Sequence, residues 1–459
     1  MQSSTVIIVG GGFAGIYSAW RLSRDGINVT LIEGSDHLGG TLWSIEWNGY
    51  LVDSGTHTLD LRTPMSAEFF SDVLGNELKE TNQQNFGSTI GQAITPGFEM
   101  PDFSSDEPAF CEIVLEELAQ INFEQVQVES SGYDAWLLAN YGSTLGARLK
   151  DMTKKVTGST SELLSVPASA SLGMLSRPKL GSDAEMISLK ESAEFYNSRL
   201  GVSLESGDER FAGLNVNKRY GYPATGALRR FCIKAQARLE ELGVNIITKS
   251  KVIKLTQDKN FIEVTLKGTG PKCLSAPRLF WSLSDHGLMP LLGVDMDLTT
   301  TALPVGCAFF AFEVPVDCIT TDLQYLNDFS DLRPTYRYNQ AGVYSGQIKH
   351  NGYTFVTAEV PSHPAKLNGI LTPEFSKIVW QSFLDVGFIK PDTSMGAFTY
   401  WGYPVAYTLP KIGWEAPMNA MRSAITSWSP RLFTVEFGHR GRNAFMQYYE
   451  TTLQKKLKF

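Results

Sequence analysis

The chain is short of the residues that build disulfide, zinc or membrane architectures. Its five cysteines, Cys111, Cys232, Cys273, Cys307 and Cys318, are scattered, odd in number and without a Cys-x-x-Cys pair. That argues against a disulfide framework or structural zinc and fits thiols kept in a reducing compartment. Histidine is scarce, at six, and His286, His350 and His363 have no metal-ligand spacing. No apolar run approaches the roughly 18 residues of a membrane span. The opening "MQSSTVIIVGGG" lacks the charged region and cleavage site of a leader, so the expected location is the cytoplasm. Net charge is −8 and no Lys/Arg stripe is present, which argues against nucleic acid as a partner. Internal repeats, low-complexity segments and a Ser/His/Asp motif context are absent too.

What is present is a core-forming composition, 43% hydrophobic over 459 residues, enough for two or three domain-sized units. "TVIIV" at residues 5 to 9 is a β-branched run of the type buried in parallel sheets. A glycine turn follows, then a helix that closes at Gly26 and a second strand, "NVTLIEG", that ends on Glu33. This is a βαβ unit. Gly10, Gly12 and Gly15, with Phe13 and Ala14 between them, satisfy Gly-x-Gly-x-x-Gly, and Glu33 lies eighteen residues beyond Gly15. The context predicts a dinucleotide site. Gly10 permits the turn, Gly12 the approach of a pyrophosphate to the helix N-terminus, Gly15 close helix-to-strand packing, and Glu33 a bond to ribose. Gly34 follows with no arginine, which argues against a 2′-phosphate.

A second glycine pair, Gly39-Gly40, precedes Thr41 in "HLGGTLW", and "TLWSIEWNGYLVDSG" alternates about the hairpin turn Asn48-Gly49. His57 stands just after it in "DSGTHTLD". Residues 81 to 108 read as a long loop and 109 to 198 as mostly helical. "GALRRFCIKAQARLEELG" has one apolar helical face, and residues 300 to 395 carry strand-like runs. The tail returns to a strand, "RLFTVEF", then "FGHRGRNAFMQYY" and a last helix.

Taken together, "GGGFAG", "LIEGSDHLGGT", "YLVDSGTHTL", "NYGSTLGARLKDMTKKVTGSTSEL", "RYGYPATGALRRF", "TYRYNQ" and "YWGYPVAYTLP" resemble the FAD-binding amine-oxidase-like flavoproteins. The resemblance is strongest to the branch containing UDP-galactopyranose mutase and the protoporphyrinogen-oxidase-like proteins of surface-polysaccharide pathways. It implies an α/β fold: a Rossmann-like, glutathione-reductase-like FAD domain in the pieces 1–80, 205–300 and 396–459, with an α+β substrate domain, 81–204 and 301–395, inserted. It also implies that Gly438, His439, Arg440, Asn443, Ala444 and Phe445 bring backbone N–H groups to the cofactor, with Val252 a further contact and His57 against the flavin. Arg337 matches the branch's diphosphate-binding arginine, and Tyr336, Tyr220, Tyr222 and Tyr407 are candidates to line a sugar or base pocket. His57 and Arg337 are thus the expected catalytic pair.

The chain also departs from the mutase, with Thr157 before Gly158 where a tryptophan is expected and, by simple register, Phe445 and Gln447 where a tyrosine and an acidic residue are expected. Two activities therefore stay open. One is redox-neutral, isomerase-type chemistry on a nucleotide-linked sugar. The other is hydride removal from a C–H bond beside nitrogen or oxygen, of amine-oxidase or desaturase type. The partner is a small molecule in both, and the electron donor and oligomeric state are left open.

Overall fold

The computed structural model describes residues 5–55, 57–81, 85–121, 132–203, 220–297, 301–436 and 441–458. The chain divides into two compact units, the first made of Met1–Thr81, Arg219–Leu298 and Ala416–Phe459, the second of Asn82–Lys218 and Thr299–Glu415.

The first unit is built on a five-stranded parallel sheet in the order Asn245–Ile247, Val29–Ile32, Val6–Val9, Arg278–Trp281 and Leu432–Thr434. Val6–Val9 and Val29–Ile32 are wholly buried, as β-branched runs in a sheet covered on both faces should be. Helix Phe13–Arg24 lies against the sheet with Ile16, Tyr17, Ala19, Trp20 and Leu22 buried. It meets the last helix through Tyr17, whose ring is edge-on to Phe445 and Tyr449, with centroids 6.2 and 5.4 Å away. The Tyr17 hydroxyl donates to Glu450 at 2.8 Å, and Arg21 Nε donates to the same carboxylate at 2.8 Å. Burial of each such aromatic contributes about 1.5–3 kcal/mol, so helix Arg442–Tyr448 is fixed against the first helix. Hairpin Ile45–Trp47/Tyr50–Val52 turns at Asn48 and Gly49, both at positive φ, as a two-residue primed turn requires.

The second unit carries a seven-stranded mixed sheet, ordered Phe398–Pro410, Ala302–Pro315, Tyr353–Ser362, Arg337–Asn339, Tyr325–Asp328, Phe86–Thr89 and Thr95–Pro96. A helical core gathers around Tyr133–Thr157, with Leu145, Leu149 and Leu164 fully buried.

Two expectations change. The segment read as a loop between 81 and 108 contains the strands Phe86–Thr89 and Thr95–Pro96, too short to announce themselves by alternation. The last segment of the nucleotide unit begins near 416, not 396. Strand Phe398–Pro410 pairs along its length with Ala302–Pro315 and so belongs to the other sheet.

Candidate functional site

The glycine turn sits at the C-terminal end of Val6–Val9, where a parallel sheet opens a crevice for ligands. Gly10 has φ +106°, and a Cβ there would overlap Ser282 and Leu283. A Cβ on Gly15 would overlap the Gly10 carbonyl oxygen, so the helix approaches the strand as closely as the motif predicts. Gly12 is the opposite case: nothing lies within 4 Å of where its Cβ would be. The backbone at Gly12 therefore faces open space, which is what a ligand approaching it needs. Gly39, at φ +120°, packs on Cys232, Gly40 lies against Gly12, and the Gly39 N–H donates to Gly11 O at 2.8 Å. The two glycine pairs thus form one lining.

Glu33 accepts the Gly11 N–H at 2.6 Å, the Ser35 N–H at 2.8 Å and Ser35 Oγ at 2.9 Å. Ser35 Oγ also reaches His37 O at 2.7 Å, and one hydroxyl proton serves only one of the two. With Ser35 donating to His37, about two of the carboxylate's roughly four acceptor sites remain for a ribose diol. The backbone N–H groups of Lys249 and Ser250 donate to Ser35 O and Glu33 O, which brings the strand carrying Val252 to the same end.

A cavity of about 450 Å³ continues from the glycine turn, lined by Phe13, Ala14, Thr41, His57, Ser282, Arg442 and Phe445 among others. His57 Nε2 lies 2.9 Å from Ser54 O. A carbonyl accepts only from a protonated nitrogen, so Nε2 carries the hydrogen. A second cavity of about 320 Å³ shares Gly441 and Arg442 with the first and adds Thr58, Asp60, Phe70, Tyr220, Asn443 and Ala444. Asn443 donates to Asp60 at 2.5 Å, and Arg62 pairs with the same carboxylate, holding it below the usual carboxylate range against its desolvation.

Arg442, the first residue of helix Arg442–Tyr448, lines both cavities. Its Nη1 is buried without a hydrogen-bond partner among the described residues, and burial pulls its pKa down. A guanidinium nitrogen left without a partner at a helix N-terminus, in a cavity shared with the glycine turn, fits an anionic ligand such as a diphosphate. Nearby, Asp53 is fully enclosed. It accepts Ser44 Oγ at 2.5 Å, the Tyr222 hydroxyl and the Leu228 N–H at 3.3 Å, and burial raises its pKa to about 6 despite these bonds and the charge of Arg442.

Among the predicted site residues, Phe13, Ala14, Thr41, His57 and Phe445 line the first cavity and Tyr220, Asn443 and Ala444 the second, while Gly10, Gly12 and Gly15 form the turn that carries Phe13 and Ala14. Gly438, His439 and Arg440 lie outside the described residues. Tyr222 does not offer a pocket hydroxyl: it is buried and donates to Asp53. In the second unit, Tyr336 is buried and the Tyr407 hydroxyl donates to Val156 O at 3.0 Å. Arg337 Nε donates to Asn327 at 2.9 Å and Nη1 to Glu359 at 3.2 Å, while the guanidinium lies over the Tyr325 and Tyr336 rings at 5.5 and 5.1 Å. Its charge is already matched by Glu359, which raises its pKa further. In the sequence, Arg442 shows only as one of the paired arginines, Arg440 and Arg442, that a plain strand-to-helix turn does not call for, and Asp53 carries no signal; the burial of Asp53 and of Arg442 Nη1 is visible only in the packed structure.

The family model for NAD(P)-binding Rossmann-like domains matches residues 8–73. Protoporphyrinogen oxidase 2 of Arabidopsis thaliana is 34% identical over 73 residues, which is 16% of this chain and 14% of that protein. A UDP-galactopyranose mutase structure, in its reduced form, superimposes over 100% of this chain and 96% of its own, with TM-score 0.73 at 15% identity. Cyclohexylamine oxidase from Brevibacterium oxydans IH-35A covers 99% and 98%, with TM-score 0.62 at 13% identity. The chain has the fold of the amine-oxidase-like flavoproteins. The curated match covers about a sixth of this chain and a seventh of that protein, whereas the structural likeness runs over the whole chain.

Proposed function

We propose that the chain is an FAD-dependent oxidoreductase of the amine-oxidase-like type. The observation that carries this reading is the buried Arg442 Nη1, without a hydrogen-bond partner among the described residues, in a cavity that also takes in Phe13 and Ala14 of the glycine turn. Gly12, Phe13 and Ala14 would receive the diphosphate at the helix N-terminus, Arg442 would balance its charge, and Glu33 would hold the adenosine ribose. Bound FAD supplies the capacity to accept a hydride from a C–H bond beside nitrogen or oxygen. The residues of this chain then bind and orient the cofactor. His57, with its tautomer fixed by Ser54, presents an imidazole to the cavity, and Phe13 and Phe445 keep water from its apolar wall.

The second reading is redox-neutral chemistry on a nucleotide-linked sugar in surface-polysaccharide synthesis. It is favoured by Arg337 set between two tyrosine rings, an environment suited to a base and a diphosphate. It ranks second because Glu359 already pairs that arginine. Mixing the FAD-loaded protein anaerobically with amines, alcohols and nucleotide sugars separates the two. Bleaching of oxidised flavin supports the first reading. Product formed only by chemically reduced protein, with the flavin still reduced afterwards, supports the second and overturns the first.

A further inference from the structure

The first unit also carries a three-stranded antiparallel sheet, Ser250–Gln257, Ile262–Gly268 and Cys273–Ala276. Leu255, Ile262, Val264, Leu266 and Ala276 are buried on one face of it. Side chains alternate along a strand, so Lys254, Glu263, Lys267 and Cys273 take the other face, where they are exposed, and Lys251 stands directly opposite Lys267. Lys249 and Lys272 flank that end of the sheet, with the Thr269 and Leu266 N–H groups donating to their carbonyls. Lys259 sits in the turn at the far end. All six lysines are exposed, and among the described residues none of their ammonium groups has an ion pair or a hydrogen bond. Residues 249–272 set these six against only Asp258 and Glu263, a net +4 inside a chain of net charge −8. Asp258 is occupied within its own turn, accepting the Asn260 and Phe261 N–H groups at 2.6 and 2.7 Å. Two apolar side chains stand among the lysines: Ile253, at the irregular step between Val252 and Lys254, is 51% exposed, and Phe261 is 41% exposed. The lysines are dispersed along the sequence and gathered only by strand pairing, so no basic stripe shows before folding.

We propose that this face docks on an anionic membrane surface, with the lysines over the headgroups and Ile253 and Phe261 entering between them. Like charges directly opposite on paired strands oppose the pairing, and an anionic partner relieves that repulsion between Lys251 and Lys267. None of the six positions is an arginine. Lysine is a hydrated point charge without a rigid fork, which suits mobile headgroups that offer no fixed geometry and suits the planar, bidentate contacts of nucleic-acid recognition less well. The apolar pair decides between a lipid surface and other polyanions, because exposed aliphatic and aromatic side chains beside lysines gain from the headgroup–acyl boundary. Each lysine brought close to such a surface strengthens binding about fivefold.

The test is co-sedimentation of the full chain with sucrose-loaded vesicles of phosphatidylcholine alone and of phosphatidylcholine with phosphatidylserine in equal parts. Wild type is expected on the second and not on the first, against the repulsion that its net charge of −8 would cause, and added salt should release it. The triple variant Lys251→Gln, Lys254→Gln, Lys267→Gln should lower the partition coefficient about a hundredfold. The double variant Ile253→Ser, Phe261→Ser should lower it too while leaving binding salt-dependent. A control triple, Lys366→Gln, Lys377→Gln, Lys390→Gln, makes the same change of net charge at exposed positions of the second unit and should bind as wild type does. Absence of wild type from the phosphatidylserine vesicles, equal binding to both vesicle types, or equal losses in the two triple variants overturns the proposal. So does retention on polyglutamate or duplex DNA with none on vesicles, which would assign the face to that polyanion instead. Should the first triple variant not fold, salt-insensitive binding of wild type overturns the proposal alone.

Discussion

Replacing Arg442 by methionine separates what this residue does for the fold from what it does for the ligand. Methionine keeps most of the apolar length of the side chain and removes the guanidinium. In the ligand-free protein, a buried unpaired polar nitrogen costs about 1–3 kcal/mol, and Nη1 is such an atom. The variant should therefore be more stable than wild type by about that amount. The comparison belongs at pH 5, where Asp53, pushed up to about 6 by burial, is mostly neutral, and where Asp60, the other carboxylate facing Arg442, keeps Arg62 and Asn443. FAD binding should move the other way. Loss of one or two charge-assisted hydrogen bonds to a diphosphate, each about 1.5–3 kcal/mol, weakens binding by at least about tenfold. Urea unfolding of the ligand-free protein and an FAD titration followed by flavin fluorescence read the two effects separately. An unchanged FAD affinity would refute the assignment, and so would a ligand-free variant less stable than wild type.

Gly12→Val should leave the fold intact, since nothing stands near the new side chain, yet abolish FAD uptake. A variant that purifies with full flavin absorbance contradicts the nucleotide site. Gly15→Ala is expected to do the reverse, destabilising the chain by about 1–3 kcal/mol through overlap with the Gly10 carbonyl; an unchanged Tm would be evidence against so close an approach. Arg337→Ala leaves Glu359 without its cation and should cost about 3 kcal/mol of stability. Under the nucleotide-sugar reading it also weakens sugar-nucleotide binding without releasing FAD, and equal titration curves would remove Arg337 from that site. Asp53 is held above its open-chain value near 4, so its stabilising contribution is full below pH 4 and is lost as pH rises through about 6. The difference amounts to about 3 kcal/mol, and Asp53→Asn should flatten stability across that window; a parallel pH profile would argue against it.

The nucleotide half of the fold was legible because its signals are local. The glycines at 10, 12 and 15, the β-branched run before them and Glu33 at the end of the next strand carry their geometry in their order. The hairpin at Asn48-Gly49 was legible for the same reason. Strand Phe398–Pro410 pairs with Ala302–Pro315, about a hundred residues earlier, and no pattern within the strand names that partner. The roles of Asp53, Tyr222 and Arg442 were not legible either. Tyr222 has the same chemistry whether it faces a pocket or a buried carboxylate, and only the packed hairpin, strand and helix decide which. Arg337 illustrates the converse: its sequence context matched a phosphate clamp, but Glu359, on a strand paired in register with it, meets the charge.

Whether this chain holds FAD is read most directly from the flavin content of the purified protein before and after incubation with FAD. A flavin spectrum and one tightly bound FAD per chain, released as FAD rather than FMN on denaturation, are expected. A protein that purifies without flavin and takes up none on reconstitution would contradict FAD as the cofactor.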